Sequence, residues 1–319
     1  MDAFLIMMRN VLLFVALAIP GYLLVRLGLM KQEHTAAFSK LLMYIGLPFL
    51  LISSTINNLT LQKETLLTAG IVALLSTAYT VLAFFASKPL TSGEKDEKTR
   101  GMMRFCSVFS NNGFLGIPLG LAVFGADSPV FMVLIVINII TNITMYTLGA
   151  YLVSGDKSSI NFKKAFFSPV LIAFLIGVVL NLIKIKELLP EAVTYSTHFS
   201  NVVTPISMIV LGMKLGGTKI STLFTSSKTY YTSFLKLFLM PTTIVVILLG
   251  LRAIPNSIVS NDMILGFFVA FSMPTAGLAS TFADTYSGDT DSAVAFTLGT
   301  TIFSILTIPV LYWLVCLNV

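Results

Sequence analysis

Arg104 to Gly125 reads RFCSVFSNNGFLGIPLGLAVFG, a stretch long and apolar enough to cross a bilayer. Its middle nevertheless holds Ser110, Asn111, Asn112 and Gly113, then Gly116 and Pro118. An uninterrupted membrane helix gains nothing from these residues, because Pro gives up a backbone donor and Asn prefers caps and turns. The stretch reads as a helix broken at mid-membrane. Phe267 to Asp284 (FFVAFSMPTAGLASTFAD) repeats the pattern, with Ser272, Pro274 and Gly277 at its centre. Two broken spans in matching positions of two halves point to the binding site of a transporter.

Composition agrees with a membrane setting. The chain of 319 residues is 56% hydrophobic and 11% charged, with mean hydropathy +0.91; soluble domains run at about 45–50% apolar and 25% charged. The net charge of +6 comes from residues in short loops between apolar runs, with no basic face that would bind nucleic acid. Cys106 and Cys316 both fall inside predicted spans and read as buried, inert thiols. Ala16-Leu17-Ala18 resembles a signal-peptidase site, but the apolar run continues to Leu29. That exceeds the roughly 7–15 residues of a signal core, so a retained first span is expected.

At about 20 apolar residues per helical crossing, the chain is expected to be an all-α integral membrane protein of ten spans. They lie near 4–28, 36–56, 65–87, 101–125, 128–153, 164–184, 192–216, 230–252, 259–283 and 290–316. Breaks such as Asn57-Asn58, Ala126-Asp127, Ser154-Gly155-Asp156 and Ser287-Gly288-Asp289 separate them. With the N-terminus outside, fifteen of the twenty Lys and Arg residues fall on the inner side, Lys40, Lys164, Lys214, Lys219 and Lys236 among them. The bias predicts both termini outside. Two halves of five spans, residues 1–153 and 164–319, imply an inverted repeat, since an odd number of crossings flips the second copy. Phe109-Ser110 and Phe271-Ser272 precede the two breaks, and Phe38-Ser39 and Phe199-Ser200 lead to Pro48 and Pro205. The last two prolines are out of register by about one turn.

Backbone groups freed inside a bilayer must be satisfied by protein or must line a water-filled cavity. Pro118 is expected to orphan the carbonyl of Phe114, and Pro274 that of Ala270. Asn111 or Asn112 is expected to cap a half-helix starting near Gly113, and Ser272 one starting near Pro274. Such N-termini offer bare N–H groups and partial positive charge, an anion site built without a buried Lys or Arg. A carboxylate substrate follows, with N–H groups near Gly113 and Thr275 as donors.

In span five, Asn138, Asn142 and Tyr146 share a helix face with Thr141 nearby, as a pocket wall or as interhelical glue. Gly116/Gly120 and Gly212/Gly216 form GxxxG pairs that read as packing. Asn181, Lys214 and Lys236 lie near span ends and read as snorkelling to solvent. Asp284 is either a loop residue or, with Asn138, a coupling group. His34 and His198 read as bystanders. Enzyme signatures (HExxH, P-loop, CxxC, GxGxxG) are absent from the sequence, and no cofactor or metal is expected.

NNGFLGIPL at Asn111 to Leu119, Met132 to Leu148 with its terminal Tyr146-Thr147-Leu148, AFSMPTAGLASTFAD at Ala270 to Asp284, and Ile308-Pro309-Val310-Leu311-Tyr312 together resemble the auxin efflux carrier family of plants and its bacterial relatives. The similarity runs over the whole chain, which looks like a short, prokaryotic-type member without the long cytoplasmic loop of many plant carriers. The resemblance implies two inverted five-helix repeats with crossing broken helices in spans four and nine, as in bile-acid symporters. It implies a scaffold of spans 1, 2, 6 and 7, usually dimeric, and a moving transport domain of spans 3–5 and 8–10. Substrates in the family are indole acetate in plants and small carboxylates such as malate or malonate in bacteria. Asn111 matches the family's Asn beside the first crossover, Pro274 the second crossover proline, and Thr141 and Tyr146 polar pocket positions. Ser110 stands where plant carriers have another proline, and span three lacks the ionisable pair of some plant members.

The expected function is a secondary carrier of a small organic anion in the cell membrane, working by elevator-type alternating access, with H⁺ or Na⁺ as coupling ion. The alternative is an anion channel or membrane receptor that uses the same cleft.

Overall fold

Hydropathy and punctuation set the element order. The computed structural model describes residues 2–58, 62–125, 128–218 and 226–319; the expected break at Ala126-Asp127 and the inner-side Lys219 lie outside the described residues. In chain order the helices are α1 (Asp2–Arg26), α2 (Gln32–Asn57), α3 (Lys63–Leu90), the pair α4 (Glu97–Val108) and α5 (Asn112–Phe124), and α6 (Pro129–Ser154). There follow α7 (Lys157–Leu182), α8 (Pro190–Gly216), α9 (Ser227–Arg252), the pair α10 (Asn261–Ser272) and α11 (Ala279–Thr285), and α12 (Thr290–Cys316). All but the two pairs are long and apolar enough to cross a membrane, eight helices among the described residues. The expected spans 101–125 and 259–283 are each two shorter helices with a break between them.

Local chemistry explains the starts. Asp96, Ser128, Ser260 and Asp289 accept hydrogen bonds from the first-turn N–H groups of α4, α6, α10 and α12, each cap stabilising its helix by about 1 kcal/mol. Three helices widen by one residue just ahead of a proline: residues 42–46 before Pro48, 112–116 before Pro118 and 235–239 before Pro241. A widened π turn moves the preceding carbonyls out of register with the ring, so the helix continues through the proline. This corrects the expectation for Pro118. It sits buried inside α5, and the chain leaves helical geometry several residues earlier, at Phe109.

Two groups of helices pack mainly within themselves and meet where α1 lies on α12. In one, α1 crosses α8, and α2 packs on α7 and α8; in the other, α3 and α10 pack on α6, and α9 on α10 and α12. Glycines set the tightest crossing. A Cβ on Gly212 would lie 1.9 Å from the carbonyl oxygen of Ala18, and one on Gly21 2.0 Å from that of Ile209, so no larger residue fits. Gly120 instead meets the side-chain tip of Leu134, which can shift where backbone cannot. The innermost helix is α6, with 72% of its most apolar window buried, against 22% for α1 and 28% for α7. The outer faces of α1 and α7 present Leu12, Leu13, Ile19, Leu175 and Val179 as an apolar belt, the surface that lipid requires.

Candidate functional site

The two breaks meet. Between α4 and α5 the chain is extended at Phe109, and helix resumes after Asn111; between α10 and α11 it is extended at Met273, and helix resumes at Ala279. Ser110 and Thr275 form an isolated antiparallel bridge. The Asn111 N–H donates to the Pro274 carbonyl at 2.8 Å, and the Ala276 N–H to the Phe109 carbonyl at 3.0 Å. Each break thus satisfies backbone groups of the other, which is how irregular backbone becomes tolerable at this depth.

Side chains complete the junction. Thr275 Oγ1 donates to the Cys106 carbonyl at 2.9 Å, while its N–H donates to Thr300 Oγ1 at 3.2 Å. Ser110 Oγ donates to the carbonyl of Phe271 and accepts from Lys236 Nζ. Lys214 Nζ donates to the Gly277 carbonyl at 3.1 Å.

Three expectations are corrected here. Ser272 does not cap a following helix: it ends α10, and its hydroxyl donates back to Val269. Pro274 does not open a helix but presents its carbonyl to Asn111, because α11 starts only at Ala279. Thr275 has no N–H left for a ligand, since Thr300 takes it. Lys236 and Lys214 do not snorkel either. Lys236 is fully buried within α9, and both amines reach the junction, Lys214 from the last turn of α8 where it also lines the vestibule. Asn181 donates to the carbonyls of Thr55 and Ile56, tying α7 to the end of α2.

A cleft of about 440 Å³ opens beside the breaks, lined by Ser110 to Phe114, Asn138, Thr141, Asn142, Gly277 and Leu278, with Met43 and Leu47 opposite. Inside it, Asn112 Nδ2 donates to Thr141 Oγ1 at 2.8 Å and Asn138 Nδ2 to Asn112 Oδ1 at 3.0 Å. Asn142 Nδ2 donates to the Asn138 carbonyl at 2.8 Å. These four side chains form a satisfied network. Asn111 differs: it is half-buried, and its amide makes no hydrogen bond among the described residues. The N–H groups of Gly113 and Phe114, in the first turn of α5, and of Gly277 and Leu278 also lack acceptors among the described residues. Asn111 occupies the N-cap position of α5 without a side-chain cap bond, so its amide stays available.

A larger vestibule of about 1390 Å³ adjoins the cleft at Met43, Gly277 and Leu278. It is lined by Lys40, Lys164, Lys214, Tyr146 and Asp284 among others. The structure therefore separates Tyr146 from Asn138, Thr141 and Asn142: its ring packs on Phe282 at 5.3 Å, in the vestibule wall. Asp284 is an exposed rim residue that accepts from Thr290 Oγ1. Gly116 packs under Met273, and Gly277 lies beside Phe114 and the Asn111 amide.

Sequence reasoning missed Lys236, Lys214 and Thr300. The signal for Lys236 was its setting in FLKLFLMP, apolar on both sides and nine residues into α9, too deep for the amine to reach an interface easily. Neutral amides and N–H groups without acceptors among the described residues suit the binding of an anion.

Comparison with known proteins places the chain in a family. A family model described as "Membrane transport protein" matches residues 5–312. An uncharacterized transporter of Methanocaldococcus jannaschii is 24% identical over 316 residues, 96% of this chain and 98% of its own length. Another, of Methanothermobacter thermautotrophicus, is 28% identical over 212 residues, 65% of this chain and 67% of its own. Paired helix breaks around a polar cleft, a multi-pass apolar helical body and a match over nearly the whole length lead to one conclusion: the chain belongs to the membrane transport protein family, that of the auxin efflux carriers.

Proposed function

We propose that the protein is a secondary carrier of a small organic anion, bound between the two helix breaks and moved by elevator-like alternating access. One observation carries the reading. Among the described residues the Asn111 amide and the N–H groups of two helix starts beside it in the cleft have no partner, a donor array suited to a carboxylate. The donor set differs from that expected: Gly113 and Phe114 serve on one side, and Gly277 and Leu278, in place of Thr275, on the other.

The packing of α1 on α8 and of α2 on α7 and α8 supports grouping these four as a scaffold, which meets a transport domain of α3–α6 and α9–α12 where α1 lies on α12. On this reading the two interrupted pairs count as spans four and nine of ten, and residues 1–153 and 164–319 are inverted repeats. The scaffold would carry a homodimer contact. Lys40, Lys164 and Lys214 around the vestibule support placing it on the cytoplasmic side of the cell membrane, with both termini outside. The cleft then opens inward.

Counterflow in proteoliposomes across a panel of mono- and dicarboxylates tests the proposal. A saturable exchange that Asn111→Ala abolishes, at unchanged thermal stability, is the expected outcome. Unchanged uptake in that variant, or ion-like conductance without counterflow, would sink it.

A further inference from the structure

Lys236 plays no part in the binding of the anion as described, yet it is the most deeply buried charge-bearing side chain at the junction. Its side chain is 0% exposed, and its amine donates to Ser110 Oγ, which in turn reaches the carbonyl of Phe271. No carboxylate pairs with it among the described residues, where the ion pairs are Arg100–Glu97, Lys184–Glu187 and Lys228–Glu94. A buried ammonium without a counter-ion needs another source of negative potential.

The crossing supplies that source. α4 and α10 both run into the junction and both end there, at Val108 and Ser272. Each helix C-terminus carries roughly half a negative charge, so two together present about one. Their terminal carbonyls, with Ser110 Oγ, make an oxygen-rich and electronegative spot. Half-helix C-termini and unwound carbonyls of this kind are where a coupling Na⁺ binds in transporters with broken helices. On α9, the hydroxyls of Thr229, Thr232 and Ser233 precede Lys236 by seven, four and three residues, on the same face. All three are buried and unpartnered in the described structure. They line a polar row from the α9 cap at Ser226, whose side chain accepts from Thr229 N–H, toward the amine.

We propose that Lys236 is a tethered cation that occupies the place of a coupling metal ion: its ammonium neutralises the two converging helix C-termini, and the transport cycle runs without Na⁺. The claim about transport rests on the carrier reading above; the claim about the cation site does not. Removing the amine leaves an oxygen-lined, electronegative void that takes a small monovalent cation, Na⁺ or methylammonium, from solution.

The experiment compares wild type with Lys236→Ala and Lys236→Gln in choline, sodium and methylammonium chloride at equal ionic strength. It reads the thermal unfolding midpoint of the purified protein and uptake in proteoliposomes. The wild-type midpoint and uptake are expected to be the same in all three salts. For Lys236→Ala, Na⁺ or methylammonium is expected to raise the midpoint by roughly 2–4 °C over choline. Its uptake in choline should fall by about tenfold or more, and methylammonium should restore part of it. Saturable stabilisation of the wild type by Na⁺ would overturn the proposal. So would wild-type uptake by Lys236→Ala in choline, or a midpoint in both variants indifferent to either cation. Where Lys236→Ala does not fold, Lys236→Gln carries the same readouts, and the wild-type sodium response decides by itself. Should the wild type take up no anion at all, the carrier reading fails while the midpoints still decide the cation site.

Discussion

The two helix breaks are similar in sequence and differ in how their polar groups are paired. At the first, the Asn111 amide and the N–H groups of Gly113 and Phe114, all lining the cleft, have no partner among the described residues. At the second, Met273 to Ala276 are fully buried, and the polar groups of Thr275 go to Cys106 and Thr300. On the proposed reading the first break is the main binding surface and the second mainly a strut, which reaches the cleft with Ala276, Gly277 and Leu278 at its far end.

The largest expected effect that would break this comparison is on Asn111. Asn111→Ala should lower uptake by about tenfold or more, a ligand hydrogen bond to a charged group contributing roughly 1.5–3 kcal/mol. Its unfolding midpoint should stay near that of the wild type, because the amide has no hydrogen-bond partner among the described residues to lose. Asn112→Ala sharpens the contrast between neighbours. It strips the partners of Asn138 and Thr141, and leaving buried groups unpaired costs about 1–3 kcal/mol. A midpoint lowered by several degrees checks it, whatever happens to uptake.

Thr275→Val tests the strut. Loss of the bond to the Cys106 carbonyl should cost about 1 kcal/mol, read as a lower midpoint in thermal unfolding, with uptake per folded molecule nearly unchanged. Selective loss of uptake in Thr275→Val, with Asn111→Ala active, would reverse the assignment of the two breaks.

The smallest effect lies outside both. Glu94 accepts from Lys228 Nζ at 2.6 Å, and this bond, followed by that from the Asp96 N–H, holds its carboxyl below the usual carboxylate range. For a depressed carboxyl, the stabilisation is present above the ordinary range and is lost as pH falls through the lowered value. Glu94→Gln should flatten a slight acid-side decline in the midpoint and leave uptake unchanged at neutral pH.

Much of this was legible in the chain itself. Hydropathy sets the long helices, and Ser, Asp and Pro at their starts act within one turn, so their positions needed no tertiary information. Asn111 was legible for the same reason: a polar residue before a helical run inside a span has few uses. Ser272 and Pro274 were misread because cap and first-turn preferences hold only if helix follows at once, and here six residues intervene before Ala279. Tyr146 shares a helix face with Asn142 but faces Phe282, since the turn at 145–149 is widened and shifts the register.

By itself, then, the sequence determined a multi-pass helical membrane body with two interrupted stretches, because period, hydrophobicity and breaker residues act locally. Only the tertiary structure decided that the first break bonds to the second, with Asn111 and Pro274 brought together from opposite halves of the chain. Only it placed the amines of Lys236 and Lys214 at that junction. Those outcomes depend on how distant helices pack, and on the requirement that every buried polar group find a partner wherever the chain can supply one.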